Sequence, residues 1–207
     1  MSVKTVFITG ASAGFGEACA RIFASEGARL VLTARRKERL KAICDELSDT
    51  AAGIHIVQID VGDRAAVEAA VASLTEEFRA IDVLVNNAGL ALGLEPSHQV
   101  NIEDWEVMVD TNIKGLMYCT RAILPGMVER NRGHVVNISS TAGAWPYPGG
   151  NAYGGTKAFV NQFSRNLRTD LLGSKVRVTC ISPGMAETEF SNVRFRGDDA
   201  AADKVYD

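Results

Sequence analysis

Little in this chain points to charge-driven binding. Its 22 lysines and arginines nearly balance 25 aspartates and glutamates, giving a formal charge of −3 and a pI near 5.7. There is no basic excess to attract nucleic acid or an anionic membrane surface. Histidine is scarce: His55, His98 and His134 are isolated from one another, so no metal centre is expected. The four cysteines, Cys19, Cys44, Cys119 and Cys180, form no C-x-x-C pair. They read as reduced core residues of a cytoplasmic protein rather than a disulfide framework. No apolar run reaches the roughly 20 residues of a membrane span. The opening Met1–Thr9 stretch is broken by Gly10 too early for a secretory signal. Repeats, low-complexity tracts and linkers are also lacking. What is present is 207 residues with 46% hydrophobic content, read as one domain over residues 1–207.

The apolar residues alternate between two patterns. Short continuous runs occur at Val6–Ile8, Leu30–Leu32, His55–Ile59, Val83–Val85, Val135–Ile138 and Val176–Cys180. Such runs suit strands buried on both faces. Between them, helical spacing predicts helices over Gly14–Ser25, Lys37–Leu47, Arg64–Phe78, Ile102–Val128 and Ala152–Leu172. A β-α rhythm with right-handed crossovers gives an α/β fold. The expected form is a doubly wound, Rossmann-like parallel sheet of order 3-2-1-4-5-6 with helices on both faces. Ligands then bind at the carboxyl ends of the strands.

The residues at those ends carry chemistry. Thr9-Gly10-Ala11-Ser12-Ala13-Gly14-Phe15-Gly16 follows the first strand and opens the first helix. Glycines there permit a tight turn and let a pyrophosphate approach the helix N-terminus. The second strand ends in Ala34-Arg35-Arg36, where a carboxylate would hold a ribose 2′-hydroxyl and arginine suits a 2′-phosphate. Asp60-Val61 and Asn86-Asn87-Ala88-Gly89 end the third and fourth strands, within reach of an adenine ring. Asn112 falls in a helical stretch that it suits poorly, and a kink there is expected. Ser139-Ser140 follows the fifth strand.

Tyr153 and Lys157 lie four residues apart in a predicted helix and so share a face. A free phenol titrates near pH 10. A nearby cation favours the phenolate, so this pair is expected to form a general acid/base that works near neutrality.

Together these residues resemble the short-chain dehydrogenase/reductase family. The motifs are Thr9-Gly10-x-x-x-Gly14-x-Gly16, Asn86-Asn87-Ala88-Gly89, Asn112, Ser140, Tyr153-x-x-x-Lys157 and Pro183-Gly184. Asn87–Gly93, Trp145–Asn151 and Glu189–Phe195 further resemble the NADP-dependent 3-hydroxy acid dehydrogenases, which act on serine and allo-threonine and reduce malonic semialdehyde. The resemblance implies NADP as cofactor, held by Gly10, Ser12, Gly14, Phe15, Gly16, Arg35, Arg36, Asp60, Val61, Asn87, Tyr153, Lys157, Pro183, Gly184 and Thr188. It implies Tyr153 as proton donor, Ser140 as partner of the substrate oxygen, and Lys157 on the nicotinamide ribose, lowering the Tyr153 pKa. Asn112 would position a water leading to Lys157. Arg194 is the candidate anchor for a substrate carboxylate.

A cytoplasmic homo-oligomer, dimer or tetramer, follows from the same resemblance, with a small 3-hydroxy acid or its carbonyl form as substrate and no nucleic acid or membrane partner. A general carbonyl reductase and a non-catalytic NADP(H) sensor are the alternative readings. Family members continue past this point with a further helix and a last strand, so the chain is expected to be C-terminally truncated.

Overall fold

A computed structural model of the chain describes residues 3–186 and 188–200. Six parallel strands form one sheet in the order β3-β2-β1-β4-β5-β6. They are β1 (Thr5–Thr9), β2 (Arg29–Ala34), β3 (Gly53–Gln58), β4 (Val83–Asn86), β5 (Gly133–Ile138) and β6 (Val176–Ile181). The expected order is found. Every residue of β1 is buried, because it lies at the centre and pairs with β2 on one side and β4 on the other.

Side-chain alternation along the strands divides the core between the two faces. Phe7, Val31, Leu84 and Val135 pack in one cluster. Val6, Ile8, Leu30, Leu32, Val83 and Val85 pack in another, against α1 (Gly14–Ser25) and α2 (Lys37–Leu47). The first cluster is covered by α3 (Arg64–Ala72), α6 (Leu116–Glu129) and α7 (Asn151–Asp170). The chain reverses its winding between β1 and β4, which opens a crevice at their carboxyl ends.

Three segments depart from the sequence reading. The helix expected over Arg64–Phe78 is two: α3 stops at Ala72 and α4 is Glu76–Arg79. Ser73 closes α3, with its N–H on the Ala69 carbonyl and its hydroxyl on that of Ala70. The chain then drives Leu74 into the core, and the Thr75 carbonyl starts the next turn by accepting from Phe78 and Arg79. A continuous amphipathic pattern does not register such a break, since both pieces bury the same face.

The long helix expected from Ile102 is α5 (Ile102–Val109) and α6 joined by a π-helical turn at Asp110–Gly115. Asn112 sits in that turn, and π-turns concentrate at functional sites. Finally, the stretch after Pro183-Gly184, for which no helix is expected, forms a short helix, α8 (Glu189–Arg194), capped by the Thr188 hydroxyl accepting from Phe190 N–H.

Candidate active site

One cavity of about 870 Å³ runs along the carboxyl ends of the strands. Of the site residues expected from sequence, it brings together all but two. Gly10, Ser12, Gly14, Phe15, Arg35, Arg36, Asp60, Val61, Asn87, Ser140, Tyr153, Lys157, Pro183, Gly184, Thr188 and Arg194 line it; Gly16 and Asn112 stand behind its walls.

Gly16 is a packing residue. A Cβ there would lie 2.3 Å from the Gly10 carbonyl oxygen and 2.6 Å from the Asn87 side-chain nitrogen. Only glycine lets α1 start this close to the β1 turn. Gly10 itself has φ +65 and would place a Cβ 2.9 Å from Ala88 Cα, so both the turn and the neighbouring strand end require it. Thr9 and Asn87 tie these ends together. The Thr9 hydroxyl accepts from the N–H groups of Asn87 and Ala88, and Asn87 Nδ2 donates to the carbonyls of Thr9 and Gly10. The result is a glycine-floored turn at a helix N-terminus, which fits a dinucleotide pyrophosphate. At one end of this trough Arg36 forks onto Ser12, donating from Nε and Nη2 to its Oγ at 3.3 and 3.2 Å. The same guanidinium reaches Glu189 Oε2 across the groove at 2.9 Å.

The wall that carries Tyr153 and Lys157 is built on α7 and the end of β5. Tyr153 and Lys157 are both buried on one face of α7. Lys157 Nζ donates to the Ile138 carbonyl at 2.9 Å and stands 5.8 Å from the Tyr153 ring centre. Ser139 Oγ donates to the Lys157 carbonyl at 3.0 Å, so β5 and α7 are pinned where the reactive groups emerge. Ser140 accepts from Ala142 N–H at 3.1 Å through its hydroxyl and also hydrogen-bonds Tyr153.

Asn112 uses its side chain on protein partners. It accepts from Leu90 N–H at 2.9 Å and donates to the Leu90 carbonyl at 2.8 Å and to Thr156 Oγ1 at 3.1 Å. It thereby fixes the loop after β4 against α7, directly behind Lys157.

The expected lowering of the Tyr153 pKa is corrected by this geometry. Burial outweighs every favourable contact and raises the phenol above its ordinary value. The groups that oppose burial are Ser140, through its hydrogen bond, and the Arg194 cation; Lys157 is not among them, its ammonium donating to the Ile138 carbonyl. Burial also pushes Lys157 down, to about 8, with Cys180 acting slightly the other way.

Arg194 is the feature that the motifs conveyed least. It is only 9% exposed, yet no carboxylate among the described residues pairs with it. Its guanidinium lies 5.2 Å from the Tyr153 ring, 5.5 Å from Phe190 and 5.7 Å from Tyr147, and donates to the Tyr147 hydroxyl at 2.7 Å. Its Nε is buried without a partner among the described residues. Three ring faces offset part of the cost of burying the charge. An anion placed beside Tyr153 would offset more.

Sequence reasoning did not single out Tyr147, Phe190, Glu189 or Arg39. Tyr147 and Phe190 lie within the stretches that carry the resemblance, but their roles depend on where α8 folds back, which no periodicity encodes. Arg39 carried a fainter signal, a third arginine one helical turn beyond Arg36.

Comparison with known proteins agrees with the geometry. The short chain dehydrogenase family profile matches residues 4–199. The chain is 61% identical over 202 residues to the NADP-dependent 3-hydroxy acid dehydrogenase YdfG of Shigella flexneri, covering 97% of this chain and 80% of that protein. It is 52% identical to sulfoacetaldehyde reductase 2 of Chromohalobacter salexigens over the same shares. Among solved structures, a closed form of serine dehydrogenase complexed with NADP+ superposes with a TM-score of 0.94 at 61% identity, covering 98% of this chain and 81% of that one. From glycine turn to Tyr153 and Lys157, and along nearly its whole length, this chain belongs to the short-chain dehydrogenase family.

Proposed function

We propose that this protein is an oxidoreductase that uses NADP(H) to interconvert a small 3-hydroxy acid and its carbonyl form. The observation that carries the reading is Arg194, a buried cation with no counter-ion among the described residues, 5.2 Å from the ring of the proposed proton donor. Relatives that share the fold at more than half identity are NADP-dependent 3-hydroxy acid and sulfoacetaldehyde enzymes, and a serine dehydrogenase with NADP+ is nearly superposable.

The trough would fit the cofactor: Gly10 and Gly16, where a Cβ would collide with protein atoms, let α1 start against the β1 turn and leave its N-terminus open to a pyrophosphate, and Arg36, held on Ser12, is the cation that would take a 2′-phosphate. When bound there, NADP(H) supplies or accepts hydride; the chain supplies the rest. Tyr153, kept protonated by burial, gives its proton to the substrate oxygen in reduction. Ser140 shares that oxygen by hydrogen bonding as charge develops. Lys157 holds the nicotinamide ribose and supplies a positive charge behind the Tyr153 ring. Asn112 acts through Leu90 and Thr156, holding the wall against which Lys157 rests. Arg194 takes the carboxylate through guanidinium N–H groups that Tyr147 does not use.

A sulfonate in place of the carboxylate is a second reading, favoured by the sulfoacetaldehyde reductase relative, since the same guanidinium fork suits both. A cytoplasmic homo-oligomer completes the proposal; among the described residues no helix is long and apolar enough to cross a membrane. The test is an assay of purified protein with NADPH against a 3-oxo acid, a sulfonate aldehyde and an uncharged ketone of equal size. Preference for the acid supports the first reading and preference for the sulfonate the second. Turnover of the uncharged ketone alone leaves only a general carbonyl reductase, and cofactor binding without turnover leaves a sensor.

A further inference from the structure

Glu189 lies at the first position of α8, 153 residues from Arg36, and the two meet across the mouth of the cofactor groove. One of its oxygens, Oε2, accepts from Arg36 Nη1 at 2.9 Å. The other, Oε1, is taken by Arg39 Nη1. The remaining nitrogens of Arg36 hold Ser12, through its hydroxyl and its carbonyl. Ser12, Arg36 and Glu189 all line the cavity. A carboxylate therefore occupies the guanidinium edge that the reading above gives to a 2′-phosphate.

We propose that Glu189 is a cofactor-discriminating residue, an internal counter-ion of the 2′-phosphate subsite that NADP(H) must displace and NAD(H) need not. The inference rests on the assignment of Arg36 to that phosphate. Carboxylate and phosphate offer a guanidinium the same kind of acceptor oxygens, and although Nη1 of Arg36 carries two N–H groups, two anions crowded on that one edge repel each other, so Glu189 and a phosphate compete for it. A phosphate monoester carries roughly −1.5 to −2 charge near pH 7 against −1 for Glu189, so the phosphate prevails. The pairs are also half exposed, with Arg36, Arg39 and Glu189 side chains at 45%, 48% and 40%, and screening keeps such pairs weak and exchangeable. Arg39, which the sequence reading passed over, is the second arm of the same device: it keeps hold of Glu189 or joins Arg36 on the phosphate. The Glu189 carboxyl is held below its ordinary range by Arg39 first and Arg36 second, so it is ionised at neutral pH.

The consequence is a brake on NADP(H) affinity that NAD(H) does not feel. The test is titration of NADPH and NADH into the wild type, Glu189→Gln, Glu189→Asp and Arg36→Ala, with each variant's melting temperature measured in parallel. Glu189→Gln is expected to tighten NADPH by about three- to tenfold, the scale of losing one or two exposed ion pairs, and to leave NADH within about twofold. It should also steepen the salt dependence of NADPH binding, because the arginines then meet the phosphate without a competing anion. Glu189→Asp, which keeps the charge, should stay near wild type. In an Arg36→Ala, Arg39→Ala background the Glu189→Gln effect should vanish, which a purely structural role for Glu189 would not produce.

Weaker binding of both cofactors in Glu189→Gln would overturn the proposal and make Glu189 a latch over the groove. No change in either would overturn it as well, leaving a surface ion pair. If Arg36→Ala leaves the NADPH-to-NADH ratio as it was, the phosphate assignment itself is wrong. If Arg36→Ala narrows that ratio while Glu189→Gln does nothing, only the role of Glu189 is lost.

Discussion

Tyr153 and Lys157 occupy one wall of the cleft and Glu189 and Arg194 the other, and the two walls are held by different forces. The first is fixed by short polar contacts to backbone: Lys157 to Ile138, Ser139 to the Lys157 carbonyl, Asn112 to Leu90. Its geometry follows from strand ends and one long helix. The second is a six-residue helix, α8, held by rim ion pairs, by ring contacts and by the Arg194 carbonyl accepting from Gly93 N–H at 3.1 Å. The contrast separates two tasks. In the proposed reading the first wall carries the proton chemistry, common to any carbonyl substrate. The lighter wall, in the same reading, sets preference: Arg194 takes the substrate carboxylate, and Glu189 competes for the Arg36 that takes the cofactor 2′-phosphate.

If that division holds, damage to the first wall abolishes turnover and damage to the second changes preference. The largest effect belongs to Tyr153→Phe, which keeps the ring and its packing against Phe190 but removes the acid. General acid catalysis supplies roughly a hundred- to ten-thousand-fold in rate, so single-turnover reduction should fall by that amount while the NADPH dissociation constant stays near wild type. Retention of more than about a tenth of the rate would move the acid to another residue.

The next effect is on cofactor choice. Arg35→Ala with Arg36→Ala should cost NADPH at least about tenfold in affinity, since a hydrogen bond to a charged group contributes about 1.5–3 kcal/mol. NADH should be little affected, and the wild-type preference should shrink as salt rises. Equal losses for both cofactors would return these arginines to the solvated surface.

The smallest effect is graded with pH. Tyr153 stays protonated into the alkaline range because burial raises it, whereas burial brings Lys157 down to about 8. The positive charge that stands behind the Tyr153 ring, and that the proposal puts on the nicotinamide ribose, is therefore present below that pH and lost above it. Reductive kcat/KM should fall by up to about tenfold per pH unit above the Lys157 value. Lys157→Arg, which stays protonated, should shift that limb upward even if its maximum is lower. A limb that does not move would assign it to another group.

The same contrast explains what the sequence made legible. Strand order and the glycine turn were readable because burial on both faces writes continuous apolar runs, and because Gly10 and Gly16 sit where any Cβ collides. Tyr153 and Lys157 were readable because helical spacing alone puts them on one face. The direction of the Tyr153 shift was not readable: it depends on how deeply the ring is buried and on Lys157 being bonded to Ile138, both properties of packing. The break at Ser73–Thr75 left no mark because α3 and α4 bury the same side. On the lighter wall, Arg194 was one arginine among several, with Arg196 close by. Only the fold shows that Arg194 turns in among Tyr147, Tyr153 and Phe190 while Arg196 pairs outward with Asp104.

The most direct test of this account is the ratio of kcat/KM for serine to that for an uncharged alcohol of similar size, measured in the wild type and in Arg194→Met with saturating NADP. The account predicts a wild-type ratio well above one that collapses by roughly ten- to a hundredfold in the variant, the scale of one charge-assisted contact, while the uncharged alcohol changes little. Equal losses on both substrates would contradict it and remove Arg194 from the carboxylate site.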